Sequence, residues 1–446
     1  MSEIMLAGLG FLTTILIIVV LLKNWTIPSL AFICVSMFAS VVLVGTGTFT
    51  IGEIGDFVKA GVAGTSATAC LFVFSVLFFG IMTDAGMFDK IISKLIKKVG
   101  SNVVGVAVMS CVICMIGHLD GGGASTFLIT IPAMLPIYKK LHMRPTTLLL
   151  ICVTAMGVMN LLPWGGPTMR AASVLGIEAN ELWIELIPMQ IFGVFVAFAT
   201  AIIWGLIEKK RGAGLDGKLA KESTEVFDGD LSVELGNSEL ARPKLFLFNV
   251  VLTLCVIVSL IVLDVPSYLP FMVGCTIGLM ANYRDVKLQN KIVKAHSGPA
   301  LMMASTLFTA GVFLGIMSET GIMDHMANII ATALPASVGP YLPVIIGIIS
   351  VPLAIGFSTD SYFYGLLPVL IVVGESFGVN PVQLGIVMVV TKNLATFISP
   401  VVPATFLGIG LAGIEIKDHI KACFFWIWGA SILCLISGII MGVITI

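Results

Sequence analysis

The sequence predicts an all-α protein that crosses a membrane many times, built as two copies of one unit inserted upside down relative to each other. Three observations carry this expectation. Of 446 residues, 58% are hydrophobic and only 11% charged, against about 25% charged in soluble domains, and the mean hydropathy is +1.09. The apolar residues gather in runs of spanning length. Motifs of the first half return in the second at a nearly constant offset. This composition excludes a soluble enzyme, a nucleic-acid binder and a disordered chain.

A helix needs roughly 20 apolar residues to span a bilayer. Uninterrupted runs occupy 4–22, 27–45, 65–83, 188–207, 244–263, 268–283, 298–317 and 422–444. The first has Glu3 and no early Lys or Arg, which predicts a span rather than a cleaved signal. Two longer runs, 146–177 and 381–412, contain Gly, Pro and Asn and predict broken helices. Two others, 101–138 and 340–375, are too long for one crossing and polar at their centres. The nine cysteines lie mostly in apolar runs, where cysteine behaves as a small hydrophobe. Cys111 and Cys114 form a C-x-x-C with no second pair, a weak signal for metal or redox chemistry.

Basic residues collect on the cytoplasmic side of a membrane protein. With the N-terminus outside, all of the 24 Lys and Arg except Lys59, Arg170 and Lys392 fall inside. This solution requires 101–138 to enter and leave on the cytoplasmic side, as a re-entrant hairpin turning at His118–Gly123. The run 340–375 becomes a hairpin from outside, turning at Gly356–Ser361. The charged segment 208–243 reads as a cytoplasmic linker between a first copy, 1–207, and a second, 244–446.

The copies are visible in the sequence. Gly80–Asp89 matches Gly315–Asp324, Asp120 corresponds to Asp360, and Asn160 with Gly166-Pro167 corresponds to Asn393 with Ser399-Pro400, all at offsets of about 235 residues. Each copy holds five spans, one of them broken, and one hairpin. An odd number of spans forces the second copy to insert inverted. The amphipathic stretch 87–99 carries four lysines and belongs inside; its counterpart 322–333 carries none and belongs outside. Inverted repeats with interrupted helices are the signature of secondary transporters with a site near the bilayer midplane.

Irregular backbone at membrane depth persists only inside protein or beside a water-filled cavity. The chain offers four such places. The first hairpin turn, Gly117 to Thr126, has three consecutive glycines, and Gly122 and Gly123 leave backbone N–H groups open to a ligand. The second turn runs Gly356-Phe-Ser358-Thr359-Asp360-Ser361. The first break runs Asn160 through Gly165-Gly166-Pro167-Thr168 to Arg170, with the helix restarting at Pro167. The second runs from Asn393 to Ser399-Pro400, with Ser399 as the expected cap and Pro400 as the restart. Four helix N-termini aimed inward would form an anion site, and carbonyls freed at the breaks could ligate a cation.

The side chains there define candidates. Ser125, Thr126, Thr168, Ser358 and Thr359 are neutral donors suited to carboxylate oxygens, or else bond back into their own helices. Arg170 and Lys392 are the basic groups at membrane depth, which is costly without a role. Arg170 suits a carboxylate clamp; Lys392 suits the same role, a proton site, or a pair with Asp360 or Asp120. Asp120 and Asp360 suit metal or sodium ligation or proton carriage, or else cap the helix that follows. His118 is a further proton-site candidate. Trp164 reads as packing against the first break.

These motifs are also familiar. His118-Leu-Asp-Gly-Gly-Gly-Ala-Ser-Thr-Phe-Leu-Ile-Thr-Ile-Pro-Ala-Met-Leu-Pro-Ile-Tyr138, followed by Gly157-Val-Met-Asn-Leu-Leu-Pro-Trp-Gly-Gly-Pro-Thr-Met-Arg-Ala-Ala172, closely resembles the CitMHS family of bacterial citrate–metal–proton symporters, over essentially the whole chain. The resemblance implies the ion transporter superfamily fold, a homodimer in the bacterial inner membrane, and a scaffold domain against which a transport domain carrying the hairpins moves like an elevator. It implies symport of citrate complexed to a divalent metal of the Mg2+ or Ca2+ class, driven by protons, with no bound cofactor and no enzymatic activity. The family's first turn usually reads L-D-G-D-G. Here Gly122 replaces the second acid, so the metal and the coupling ion stay open.

The charge inventory bears on the cargo. Fully ionised citrate buried without partners is prohibitive. A divalent cation reduces it to about one negative charge, which one arginine and four helix N-termini, each roughly half a positive charge, could balance. A metal complex, a dicarboxylate or a partly protonated tricarboxylate is therefore expected, with a sodium- or proton-coupled di- or tricarboxylate carrier as the other transporter reading. An anion channel fits less well, because two-sided hairpins favour alternating access. An intramembrane hydrolase using His118, Asp120 and Ser125 has no use for repetition, and Phe357 stands where the second turn would need its histidine.

Overall fold

The computed structural model describes residues 1–445 except Asn24, 97–101, 216–238, Leu334 and Ala336. Most of the expected linker, and Lys97 and Lys98 of the amphipathic stretch, therefore lie outside the described residues. Among those described, every regular element is helical, and nine helices are long and apolar enough to cross a membrane.

The first half runs α1 (Glu3–Leu22), α2 (Pro28–Gly45), α3 (Ile51–Asp84), α4 (Met87–Ile96), α5 (Val103–Gly117), α6 (Gly123–Lys140), α7 (Pro145–Met159), α8 (Gly166–Leu175) and α9 (Ala179–Arg211). The second runs α10 (Phe246–Val262), α11 (Tyr268–Asn282), α12 (Val286–Glu319), α13 (Ile322–Ala333), α14 (Leu342–Gly356), α15 (Leu367–Glu375), α16 (Pro381–Asn393), α17 (Pro403–Ala412) and α18 (Ile416–Ile440). Both follow one succession: two helices, a 34-residue helix, a short amphipathic helix, a hairpin, a broken pair and a long last helix. Helix pairs turn at 118–122 and 357–360, and helices are interrupted at 160–165 and 394–402. The expected span at 268–283 is a helix of 15 residues, about 22 Å at 1.5 Å per residue, shorter than the roughly 30 Å hydrocarbon core.

Local chemistry sets the boundaries. Thr50 and Glu53 form a reciprocal capping box at the start of α3. Pro28, Pro145 and Pro381 open helices where their missing N–H has no intrahelical partner to lose. Left-handed glycines close α8, α9 and α17, at Gly176, Gly212 and Gly413.

The long helices α3 and α12 pack antiparallel along their length. Gly61 lies on Gly311 and Gly315, and at the other end Gly80 lies under the His296 ring. A Cβ on Gly61 would overlap the Gly311 carbonyl, so the crossing requires small residues. His296 Nε2 meets Asp84 Oδ2 at 2.9 Å there. Two buried apolar clusters flank this pair. One joins α1, α2, α12 and α13 and takes in Tyr364 of the second hairpin. The larger joins the hairpins, the broken helices, α9, α10, α11 and α18. Both breaks sit deep in the larger one.

Candidate functional site

The first hairpin turn is built by glycine. Helix α5 tightens into one 3-10 turn at His118–Asp120. Gly121 then takes a left-handed φ of 72°, and α6 begins at Gly123. Gly121 packs on Trp164, whose indole Nε1 donates to the Leu119 carbonyl at 2.8 Å. Trp164 thus fastens the first break to the first turn, with Phe79 tilted against it and Phe271 edge-on.

Asp120 serves its own turn. It accepts from the Gly122 N–H at 2.7 Å and from the Ser125 hydroxyl, bonds within the turn that reach no free N–H of the helix that follows. Ser125 and Thr126 also bond the Gly122 carbonyl. A Cβ at 122 would press on Ser125 and the Asp120 oxygens, so a second acid there would stand beside the first. With Gly122, a serine fills that place.

The second turn differs from expectation in shape. Helix α14 ends at Gly356, and the returning arm starts as a π-helix, Ser361–Leu366, before continuing as α15. Ser358 caps it, accepting from the Ser361 N–H at 3.1 Å. The second break also restarts later than predicted. Val402 donates to the Ser399 carbonyl at 3.2 Å, so Ser399-Pro400 form a turn and α17 opens at Pro403. The chain offers two prolines, and the turn leaves the second to begin the helix. In the first break α8 opens at Gly166 with Pro167 in its first turn, close to expectation.

Buried polar groups link all four interruptions. His118 Nδ1 meets the Thr126 hydroxyl at 2.7 Å, and Nε2 faces Asn160 Oδ1 at 3.4 Å. Asn160 donates to Asn393 Oδ1 at 3.4 Å. Thr396 reaches the same oxygen at 3.5 Å, and Lys392 Nζ donates to Thr396 at 3.4 Å and to Thr359 at 2.8 Å. The chain therefore runs from the first turn, through both breaks, to the second turn. His118, Asn393 and Lys392 are 0% exposed. Lys392 meets hydroxyls, not the carboxylate partner that was one expectation, and Asn393 Nδ2 has no hydrogen-bond partner. The breaks approach because Gly157 lies on the backbone of Asn393 and Leu394. Thr168 satisfies carbonyls freed by the first break, donating to Asn160 and Leu161 at 3.3 and 3.1 Å.

Arg170 stands beside this chain. Its Nε donates to Asp360 Oδ1 at 2.7 Å across the two halves, with side-chain exposures of 8% and 14%. Its other nitrogens reach the Gly166 carbonyl at 2.9 Å and Met303 Sδ at 3.3 Å. Sequence reasoning named both partners without joining them, since the two residues share neither copy nor motif. It missed Thr396, which no spacing rule marks, and Glu208, 0% exposed between Arg144, Thr147 and Arg211. Among the described residues no group of three or more His, Cys, Asp or Glu is placed to hold a metal ion. The arrangement suits an anionic ligand: two basic groups, several hydroxyl and amide donors, and helix N-termini at Gly123, Gly166 and Pro403.

Known proteins resemble this chain along its length. The CitMHS citrate transporter family matches residues 14–391. A Bacillus subtilis (strain 168) citrate transporter is 34% identical, over 99% of this chain and 100% of its own. The Mg(2+)/citrate complex secondary transporter of the same organism is also 34% identical with the same coverage. In fold, the chain is similar to the Alcanivorax borkumensis YdaH transporter, with a TM-score of 0.60 and 14% identity over 94% of this chain and 99% of that one.

Proposed function

This multi-pass membrane protein belongs to the CitMHS citrate transporter family, and on that premise we propose that it imports citrate as a divalent-metal complex, coupled to protons, by alternating access. The observation that carries the reading is the buried polar chain from His118 to Thr359, which ties two hairpin turns and two broken helices into one site. Hairpin-borne residues contribute at both ends, so a movement of either hairpin changes access to the middle.

The carboxylates of the cargo meet Arg170, Asn160, Asn393, the N–H groups at Gly123 and Gly166 and the turn of Ser399 and Pro400, with Ser125, Thr126, Thr168, Ser358 and Thr359 as surrounding hydroxyls; the Gly122 and Gly165 N–H groups are held within their own turns. The metal, of the Mg2+ or Ca2+ class, faces Asp120 and Asp360. Few protein ligands suffice, because citrate supplies several oxygens and Mg2+ keeps waters of its own. His118 and Lys392, buried bases at the two ends of the chain, carry protons along with Asp120 or Asp360.

The copies insert as inverted repeats, 1–207 and 244–446, in the bacterial inner membrane with the N-terminus outside. The antiparallel α3–α12 pair and the shared helix succession support this. A scaffold and a moving body that carries the hairpins, in a homodimer, complete the reading. Proteoliposomes test the function: labelled citrate should accumulate with Mg2+ or Ca2+ under an inward proton gradient and stop when a chelator or protonophore is added. Uptake indifferent to chelator would leave a metal-free di- or tricarboxylate carrier instead.

A further inference from the structure

Arg170, the residue best suited to clamp a carboxylate, already holds one. Its Nε–Asp360 pair, at 2.7 Å, is almost closed to solvent, and its remaining nitrogens are engaged by Gly166 and Met303. A free anion that took Arg170 would leave Asp360 as an uncompensated buried charge. A free cation that took Asp360 would leave Arg170 in the same position. Breaking one side of a buried pair is far costlier than exchanging both sides together. Lys392 lies close enough to feel both charges but makes no ion pair with Asp360, its nitrogen bonding Thr359 and Thr396 instead.

We propose that the Arg170–Asp360 pair is the element that selects a metal–carboxylate complex over either ion alone, by exchange of partners: the cargo's metal takes Asp360 as the cargo's carboxylate takes Arg170. The inference rests on the citrate reading above and adds to it the cause of the metal requirement. Charge is conserved in the exchange, because an ion pair within the protein becomes two ion pairs with the cargo. The partners come from different halves of the chain, Arg170 from the first break and Asp360 from the second hairpin. Exchange therefore also releases the hairpin from the broken helix.

Binding to the purified, detergent-solubilised protein separates the possibilities, by thermal shift and by labelled-citrate binding. The wild type should respond to citrate with Mg2+, and at least tenfold more weakly to citrate with chelator or to Mg2+ alone. Asp360→Asn, which frees Arg170, should reduce that preference at least tenfold, while Asp360→Glu retains it. If the single variant fails to fold, Arg170→Gln with Asp360→Asn removes both charges together and should bind both forms alike. An unchanged preference in Asp360→Asn or in the double variant overturns the exchange. A wild type that binds citrate equally with and without metal also overturns it. A wild type that binds citrate in neither form overturns the citrate reading itself, and the exchange with it.

Discussion

Single residues at this site act through charge and hydrogen-bond satisfaction. Arg170→Ala strands Asp360, and loss of one partner from a buried ion pair costs about 3–5 kcal/mol. Citrate uptake should fall to background and the melting temperature should drop, both read on the same purified sample. Lys392→Met keeps the bulk of the side chain but removes a base. Citrate counterflow should persist in that variant while accumulation driven by a proton gradient is lost. Gly122→Asp introduces a second carboxylate beside Asp120, where the backbone φ of −93° accepts any residue, with Ser125 turning aside. Divalent-metal titrations of uptake should then saturate at lower metal concentration.

At the scale of elements, glycine governs how closely helices approach. Gly157 lets α7 lie on the backbone that follows α16, and a Cβ there would stand 2.7 Å from the Leu394 Cα. Gly157→Ala should therefore separate the breaks and abolish uptake, with the protein still recovered from the membrane as a monodisperse peak. Gly61→Val acts elsewhere. It should force α3 and α12 apart and lower the melting temperature, since overpacking typically costs about 1–3 kcal/mol. The elements were legible because their signals are local: proline at helix starts, glycine after helix ends, and apolar length. The π-helical arm at Ser361–Leu366 and the delayed restart at Pro403 were not, because a one-residue change of hydrogen-bond register follows from packing against neighbouring helices.

For the whole molecule, the decisive question is orientation. Fusion of a fluorescent protein at residue 242 should report a cytoplasmic linker, and an alkaline phosphatase fused after residue 180 should be active on the outer side. The opposite pattern would invert the placement of both hairpins and put the lysine-rich loops on the outer side. The same composition that excluded soluble chemistry also excluded most charges from the interior, so Arg170, Asp360, Asp120 and Lys392 were recognisable from the sequence, whereas Glu208, at the charged end of its helix, was not.

The sequence by itself determined the helical architecture and most of the buried polar groups, because polar residues and helix breakers in apolar runs are too costly to be incidental. Only the tertiary structure decided which of those groups meet. Asp120 bonded within its own turn, Lys392 settled on hydroxyls, and Arg170 found Asp360, 190 residues away. Such pairings depend on how two distant segments approach across a packed core, and no local pattern of residues encodes that approach.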